Sequence, residues 1–161
     1  MAITAQQVKT LRDKTGAGML DCKNALIEAD GDFAGAEKIL KEQGLASADK
    51  RVGRATNNGS VFVSIESGKA AMAELTCETD FVAKNDLFRN TGEKIVAAVA
   101  AQGSAEKTEA LETMVKEAIA VIKENMVLGK LVYWTTTDAD VVVNYAHNGG
   151  AIGTMVKLSC D

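Results

Sequence analysis

A chain of 161 residues with 47% hydrophobic and 25% charged residues is long enough for one sizeable domain or two small ones and is too apolar to stay disordered. Its net charge of -4 sets a global field that does not favour nucleic acid, so a protein or a small molecule is the expected partner. Cys22, Cys77 and Cys160 are three in number and far apart, which predicts free thiols in a reducing, cytoplasmic compartment.

The opening MAITAQQVK lacks the apolar core of a secretory signal, and no window approaches the roughly 18 apolar residues of a membrane helix. No membrane association is expected. Proline is absent, so boundaries must be read from Gly, Asn and Asp. Thr4 and Gln7 form a capping box, with Ile3 and Val8 placed as a hydrophobic staple, which predicts a helix from Ala5 to about Lys14. Gly16 and Gly18 then permit a tight turn, and Met19, Cys22 or Lys23, and Leu26 with Ile27 recur at helical spacing, which predicts a second helix. Asp32 is placed to cap a third helix, Phe33–Gln43, with Phe33, Ala36, Ile39 and Leu40 on one face and Gly44 as its stop. The polar run ASADKRVGRATNNG (Ala46–Gly59) reads as a linker, and the domain boundary is expected there.

Beyond the linker the period becomes two. Val61, Val63 and Ile65, the Ser67-Gly68 turn, and Ala71, Ala73, Leu75 and Cys77 predict a β-hairpin. Helical spacing returns in Leu87–Ala101 and again from about Ala105 to Lys123, which predicts a helical hairpin. Three strands follow, in Leu131–Thr137, Val141–His147 and Ala151–Leu158, with Gly149-Gly150 as a turn. The order ββααβββ predicts an α+β domain whose antiparallel sheet buries one face under helices. The chain stops at Asp161, shortly after the last strand, which predicts truncation at the C-terminus or a short family member.

Inventory excludes most catalytic templates, since there is one histidine and no Walker motif, nucleophile elbow, HExxH or GxGxxG. Glu74, Glu78 and Asp80 at even spacing could offer a strand face of carboxylates to magnesium, but a solvated face explains them more simply. Asp30-Gly31-Asp32 lacks the ligand series of a calcium loop, and Thr15-Gly16-Ala17-Gly18 lacks the strand that precedes a phosphate loop. No metal and no cofactor is predicted. Lys50, Arg51 and Arg54 read as a solvated linker, and His147 as a surface or hydrogen-bonded structural residue. In CETDFVAKND (Cys77–Asp86) the strand pattern yields to a helical one at Phe81. Position alone favours a core ring. The flanking Asp80 and Lys84 allow the other outcome, an exposed anchor for a partner.

Two segments carry a family resemblance. LRDKTGAGMLDCKNAL (Leu11–Leu26) and ELTCETDFVAKND (Glu74–Asp86) resemble the signature segments of elongation factor Ts, in the right order and separation, and the likeness extends through the GGAIG run after His147. The resemblance implies a three-helix, ubiquitin-associated-like domain with its linker over residues 1–54. It also implies an elongation factor Ts core subdomain of the dimerisation type over residues 55–161. It implies guanine-nucleotide exchange on elongation factor Tu, with no covalent chemistry by this chain, GDP, GTP and magnesium met only through that partner, and a homodimer as one assembly. Carried over residue by residue, Asp80, Phe81 and Val82 of the TDFVA motif would press against the GTPase domain, Phe81 as a wedge near the nucleotide site. Arg12, Met19 and Leu20 would contact a helix of that domain, and His147 and Gly149 would touch it as well. Leu20 stands where methionine is common, and Ala151 where arginine is often found. The alternative from another class is a non-catalytic dimerisation or peptide-binding scaffold without effect on nucleotide.

Overall fold

The computed structural model describes residues 3–159. Helices α1 (Ala5–Thr15), α2 (Met19–Glu28) and α3 (Phe33–Asp49) come first, followed by strands β1 (Asn58–Glu66) and β2 (Lys69–Cys77). A short α4 (Asp80–Ala83), then α5 (Asp86–Gln102) and α6 (Glu109–Ile122), lead into β3 (Met126–Thr135), β4 (Asp140–His147), a 3₁₀ turn (Asn148–Gly150) and β5 (Ile152–Ser159). The fold is α+β, with the expected order of elements apart from the short α4 and the 3₁₀ turn. Cys22 and Cys77 are free and buried, while Cys160 lies outside the described residues.

Local signals set the first helices. Thr4 and Gln7 form the reciprocal capping box, with the Gln7 N–H donating to Thr4 Oγ1 at 3.3 Å and the Thr4 N–H to Gln7 Oε1 at 2.9 Å. Gly16 ends α1 in the left-handed region at φ 70°, where an L side chain would be strained. Asp32 caps α3 by accepting from the Gly35 N–H at 2.8 Å. Val8, Leu11, Cys22, Ala25, Leu26 and Ala36 close a small apolar core among these helices. The buried stripe of α2 differs from the spacing reading, because Met19 and Ile27 face solvent and Ala25 takes the inner position.

The third helix does not stop at Gly44. It runs to Asp49, and Gly44 lies inside it, where an added Cβ would sit 2.7 Å from the Cβ of Ala120 on α6. The missing side chain lets two helices approach closely, and the last turn of α3 places Ala48 in the second core. Gly44→Val should force these helices apart and lower stability by about 1–3 kcal/mol, although valine is no worse a helix former than glycine. Thermal unfolding followed by circular dichroism checks this; an unchanged midpoint would mean that the close crossing does not exist.

Strands β1, β2 and β3 form one antiparallel sheet with β2 in the centre. Ala71, Ala73, Leu75 and Cys77 of β2 point at Phe88, Ile95 and Val99 of α5 and at Leu111 and Val115 of α6, all buried. Period two also places Phe62, opposite Ala73, on that inner face, where its ring lies 6.1 Å from Phe88. Val61, Val63 and Ile65 thus point away from the helices. The last two strands do not join this sheet. They form a separate two-stranded ribbon, seated on β1 through Gly153 against Val61 and through Ser60 Oγ, which donates to the Gly149 carbonyl at 3.3 Å. One ribbon face carries Val141, Val143 and Tyr145 opposite Leu158, Val156 and Thr154, with Ile152 beyond, and its large apolar side chains are exposed.

The start of the ribbon is held by Asp140, whose carboxylate accepts from Ser159 Oγ, from the Thr137 N–H at 2.8 Å and from Thr137 Oγ1 at 3.0 Å, with Lys157 Nζ at 3.2 Å. These bonds, Ser159 first, hold its pKa far below the usual carboxylate range. A depressed folded pKa means that the stabilisation is fully present above the unfolded value of about 3.9 and is lost as pH falls through the folded value. Amide exchange at Tyr145, followed through the acid range, should therefore rise more steeply in the unmodified chain than in Asp140→Asn. Identical acid limbs would remove the linkage.

Candidate functional site

The junction between β2 and α5 has the geometry of an anchor. Thr79 caps α4 through its hydroxyl, which accepts from the Val82 N–H at 3.4 Å. Asp80 and Lys84, one helical turn apart, pair at 2.7 Å. The lysine hydrogen bond, then its charge, lowers the Asp80 pKa below the usual carboxylate value. Between them Phe81 is 82% exposed, while Val82 and Ala83 turn inward and pack on the large core. The inward pair seats the turn, and the ring projects from it. A ring held in water by a rigid support loses little entropy on entering a partner's pocket.

The other residues expected at the site are placed as follows. Met19 and Leu20 open α2 at 47% and 67% exposure, and Arg12 on α1 is exposed as well. Their apolar surface on the first turn of a helix is not used by either core. His147 ends β4, exposed, with Nδ1 2.9 Å from Tyr145 Oη. Gly149 follows at φ 67°, beside the buried Gly150. Asp80, Phe81 and Val82 share α4; Arg12 lies on α1 and Met19 and Leu20 on α2, while His147 ends β4 and Gly149 lies in the 3₁₀ turn after it.

The three carboxylates weighed for magnesium separate in space. Glu74 sits at the register shift between β2 and β3, where its Oε2 accepts from the Lys130 N–H at 3.0 Å. Glu78 accepts from the Asn125 N–H at 2.6 Å and lies 3.5 Å from Arg54 Nη1, and Asp80 is held by Lys84. Among the described residues no group of three metal-ligating side chains is brought together. The linker reading of Arg51 and Arg54 needs correction as well. Arg51 donates to Ser47 and, through Nε, to the Lys123 carbonyl at 3.0 Å, and Arg54 pairs with Glu78. Both are structural ties.

Spacing gave no hint of Glu124 and Asn125, in the turn between α6 and β3. Glu124 accepts from the N–H and the hydroxyl of Thr79, at 3.1 and 2.8 Å, across 45 positions of sequence. Only the short polar run Lys123-Glu124-Asn125 after the helix marked them.

The fold and this surface define an α+β protein that carries an exposed aromatic ring on a capped junction. The family model described as "Elongation factor TS" matches residues 78–161, a span that begins on that junction. Elongation factor Ts of Aquifex aeolicus is 42% identical over 177 aligned residues, covering 98% of this chain and 60% of its own length. That of Nitratidesulfovibrio vulgaris is 40% identical, covering 100% of this chain and 56% of its own, and that of Desulfovibrio desulfuricans is 44% identical, covering 99% and 58%. The chain belongs to the elongation factor Ts family, a family of translation elongation factors, and spans somewhat over half the length of these relatives. Among the described residues no helix is long and apolar enough to cross a membrane.

Proposed function

We propose that this chain binds elongation factor Tu carrying GDP and promotes GDP release and exchange for GTP. The observation that carries the reading is Phe81, 82% exposed on a turn whose other apolar residues are packed, within the segment that matches the family. Phe81, with Asp80, forms the wedge, and Val82, expected beside them in the contact, seats it from the core side. Arg12, Met19 and Leu20 make a second contact from the helical unit, residues 1–54 in this reading, and His147 and Gly149 make a third from the core unit, residues 55–161.

The mechanism follows from linkage. A factor that binds the nucleotide-free GTPase more tightly than the GDP-bound form weakens GDP by the same ratio, and each tenfold takes about 1.4 kcal/mol of differential contact energy. Wedge insertion that disturbs the partner's magnesium and phosphate site removes the largest electrostatic attraction for the pyrophosphate. No bond in a substrate is made or broken by this chain, nucleic acid is not contacted directly, and the setting is the cytoplasm. A homodimer is one assembly of this reading, and molar mass in solution tests it.

The test is release of fluorescent GDP from elongation factor Tu at saturating chain, measured with molar mass in solution. Accelerated release supports exchange. Binding with unchanged release would favour the scaffold reading.

A further inference from the structure

A helix as short as α4 (Asp80–Ala83) cannot hold its own shape in water, because nucleation of a single turn is unfavourable. Something else must fix the ring it carries, and every polar group of Thr79, two residues before Phe81, is engaged. Its N–H and hydroxyl donate to the two carboxylate oxygens of Glu124, at 3.1 and 2.8 Å. Its hydroxyl also accepts from the Val82 N–H, and its carbonyl accepts from the Ala83 N–H at 3.3 Å and from Cys77 Sγ at 3.2 Å. Burial first, and then the Glu124 charge, pushes the Cys77 thiol up to about 11. It therefore stays protonated and remains a donor.

Glu124 is itself held. Lys123, at φ 67°, ends α6 in the left-handed region, and its carbonyl accepts from Arg51 Nε at 3.0 Å. On the other side Asn125 is nearly fully buried; its N–H donates to Glu78 Oε1 at 2.6 Å and its Nδ2 to the Arg54 carbonyl at 2.7 Å. Asn58 Nδ2 donates to the Glu78 carbonyl at 2.9 Å. The turn after α6 thus grips both residues that lead into the anchor, and the segment after α3 grips that turn.

We infer that Glu124 is a positioning residue for nucleotide exchange, holding Thr79 so that α4 presents Phe81 in its binding geometry before the partner arrives. The inference rests on the exchange reading above for its effect on GDP, but its effect on α4 is a property of the chain alone. A pre-fixed ring loses less conformational freedom on binding, whereas a loose one must be ordered at the partner's surface.

The experiment compares the unmodified chain with Glu124→Ala, Glu124→Gln and Thr79→Ser, by amide hydrogen exchange of each chain alone and by fluorescent-GDP release from elongation factor Tu. Glu124→Ala should raise exchange at the amides of Val82 and Ala83 by about tenfold, since hydrogen bonds to a charged group are the strong ones. The fold should be kept, with the thermal midpoint falling by only about 3–6 °C, the shift that the same loss implies for a chain of this size; the amides of β2 should stay better protected than those of α4, and GDP release should slow by a similar factor. Thr79→Ser keeps both donors and should match the unmodified chain; Glu124→Gln keeps the side-chain volume and one acceptor and should fall between. Unchanged protection at Val82 and Ala83 in both Glu124 variants would overturn the inference, as would full exchange activity in them. If the unmodified chain fails to release GDP, the exchange reading falls, and the amide protection of α4 alone decides whether Glu124 positions the ring. Should Glu124→Ala fail to fold, Glu124→Gln carries the same comparison.

Discussion

Phe81→Ala should remove most of the acceleration of GDP release and leave the fold intact. The side chain is 82% exposed and belongs to neither core, so its loss should change unfolding free energy by no more than about 0.5 kcal/mol, as at other surface positions. Truncating a central aromatic anchor removes about 2 kcal/mol or more of contact energy, which is roughly thirtyfold in affinity or exchange efficiency. A buried phenylalanine would behave in the opposite way, losing about 3–5 kcal/mol of stability. Unfolding curves and GDP release measured on the same preparation separate the two. Collapse of cooperative unfolding would mean that the ring is a core residue in solution.

The second large effect concerns Gly59, on stability and not on function. Gly59 lies opposite Thr76 in the β1–β2 ladder, and an added Cβ would collide with the Leu75 carbonyl oxygen and sit 2.7 Å from Thr76 Cα. The obstacle is backbone of the central strand, so no side-chain rotation relieves it. Gly59→Ala should cost about 3 kcal/mol, the upper part of the range for overpacking. In a domain of this size that lowers the thermal midpoint by about 6–12 °C. Calorimetry tests it, and a drop of less than about 2 °C would show that the strands are not so close. Gly44 differs, because there the neighbour is the Ala120 side chain between two helices that can separate slightly.

Much of the fold was legible because its determinants are local. The Thr4 and Gln7 capping box, the Asp32 cap, the Ser67-Gly68 turn and the alternation through Ala71–Cys77 each act within a few residues, and each appears as expected. Gly44 misled because glycine serves two purposes, ending helices and admitting a neighbouring helix, and only the presence of Ala120 distinguishes them. Arg51 and Arg54 misled for a similar reason, since a polar run looks like solvated linker until its partners, Lys123 and Glu78, are in place. The last strands carried the right period, but period two does not say which strands pair, and β4 and β5 left the sheet to form their own ribbon.

The sequence by itself determined the α+β class, the order of elements and, through the two signature segments, the likeness to elongation factor Ts. Those properties rest on local propensity and on residues read in order along the chain. Only the tertiary structure decided that Phe81 stands in solvent, that Glu74, Glu78 and Asp80 serve three different partners, and that Glu124 reaches back to Thr79. Exposure and long-range hydrogen bonds depend on which distant segments arrive at the same place, and α4 acquires its shape from that arrival, being too short to hold it alone.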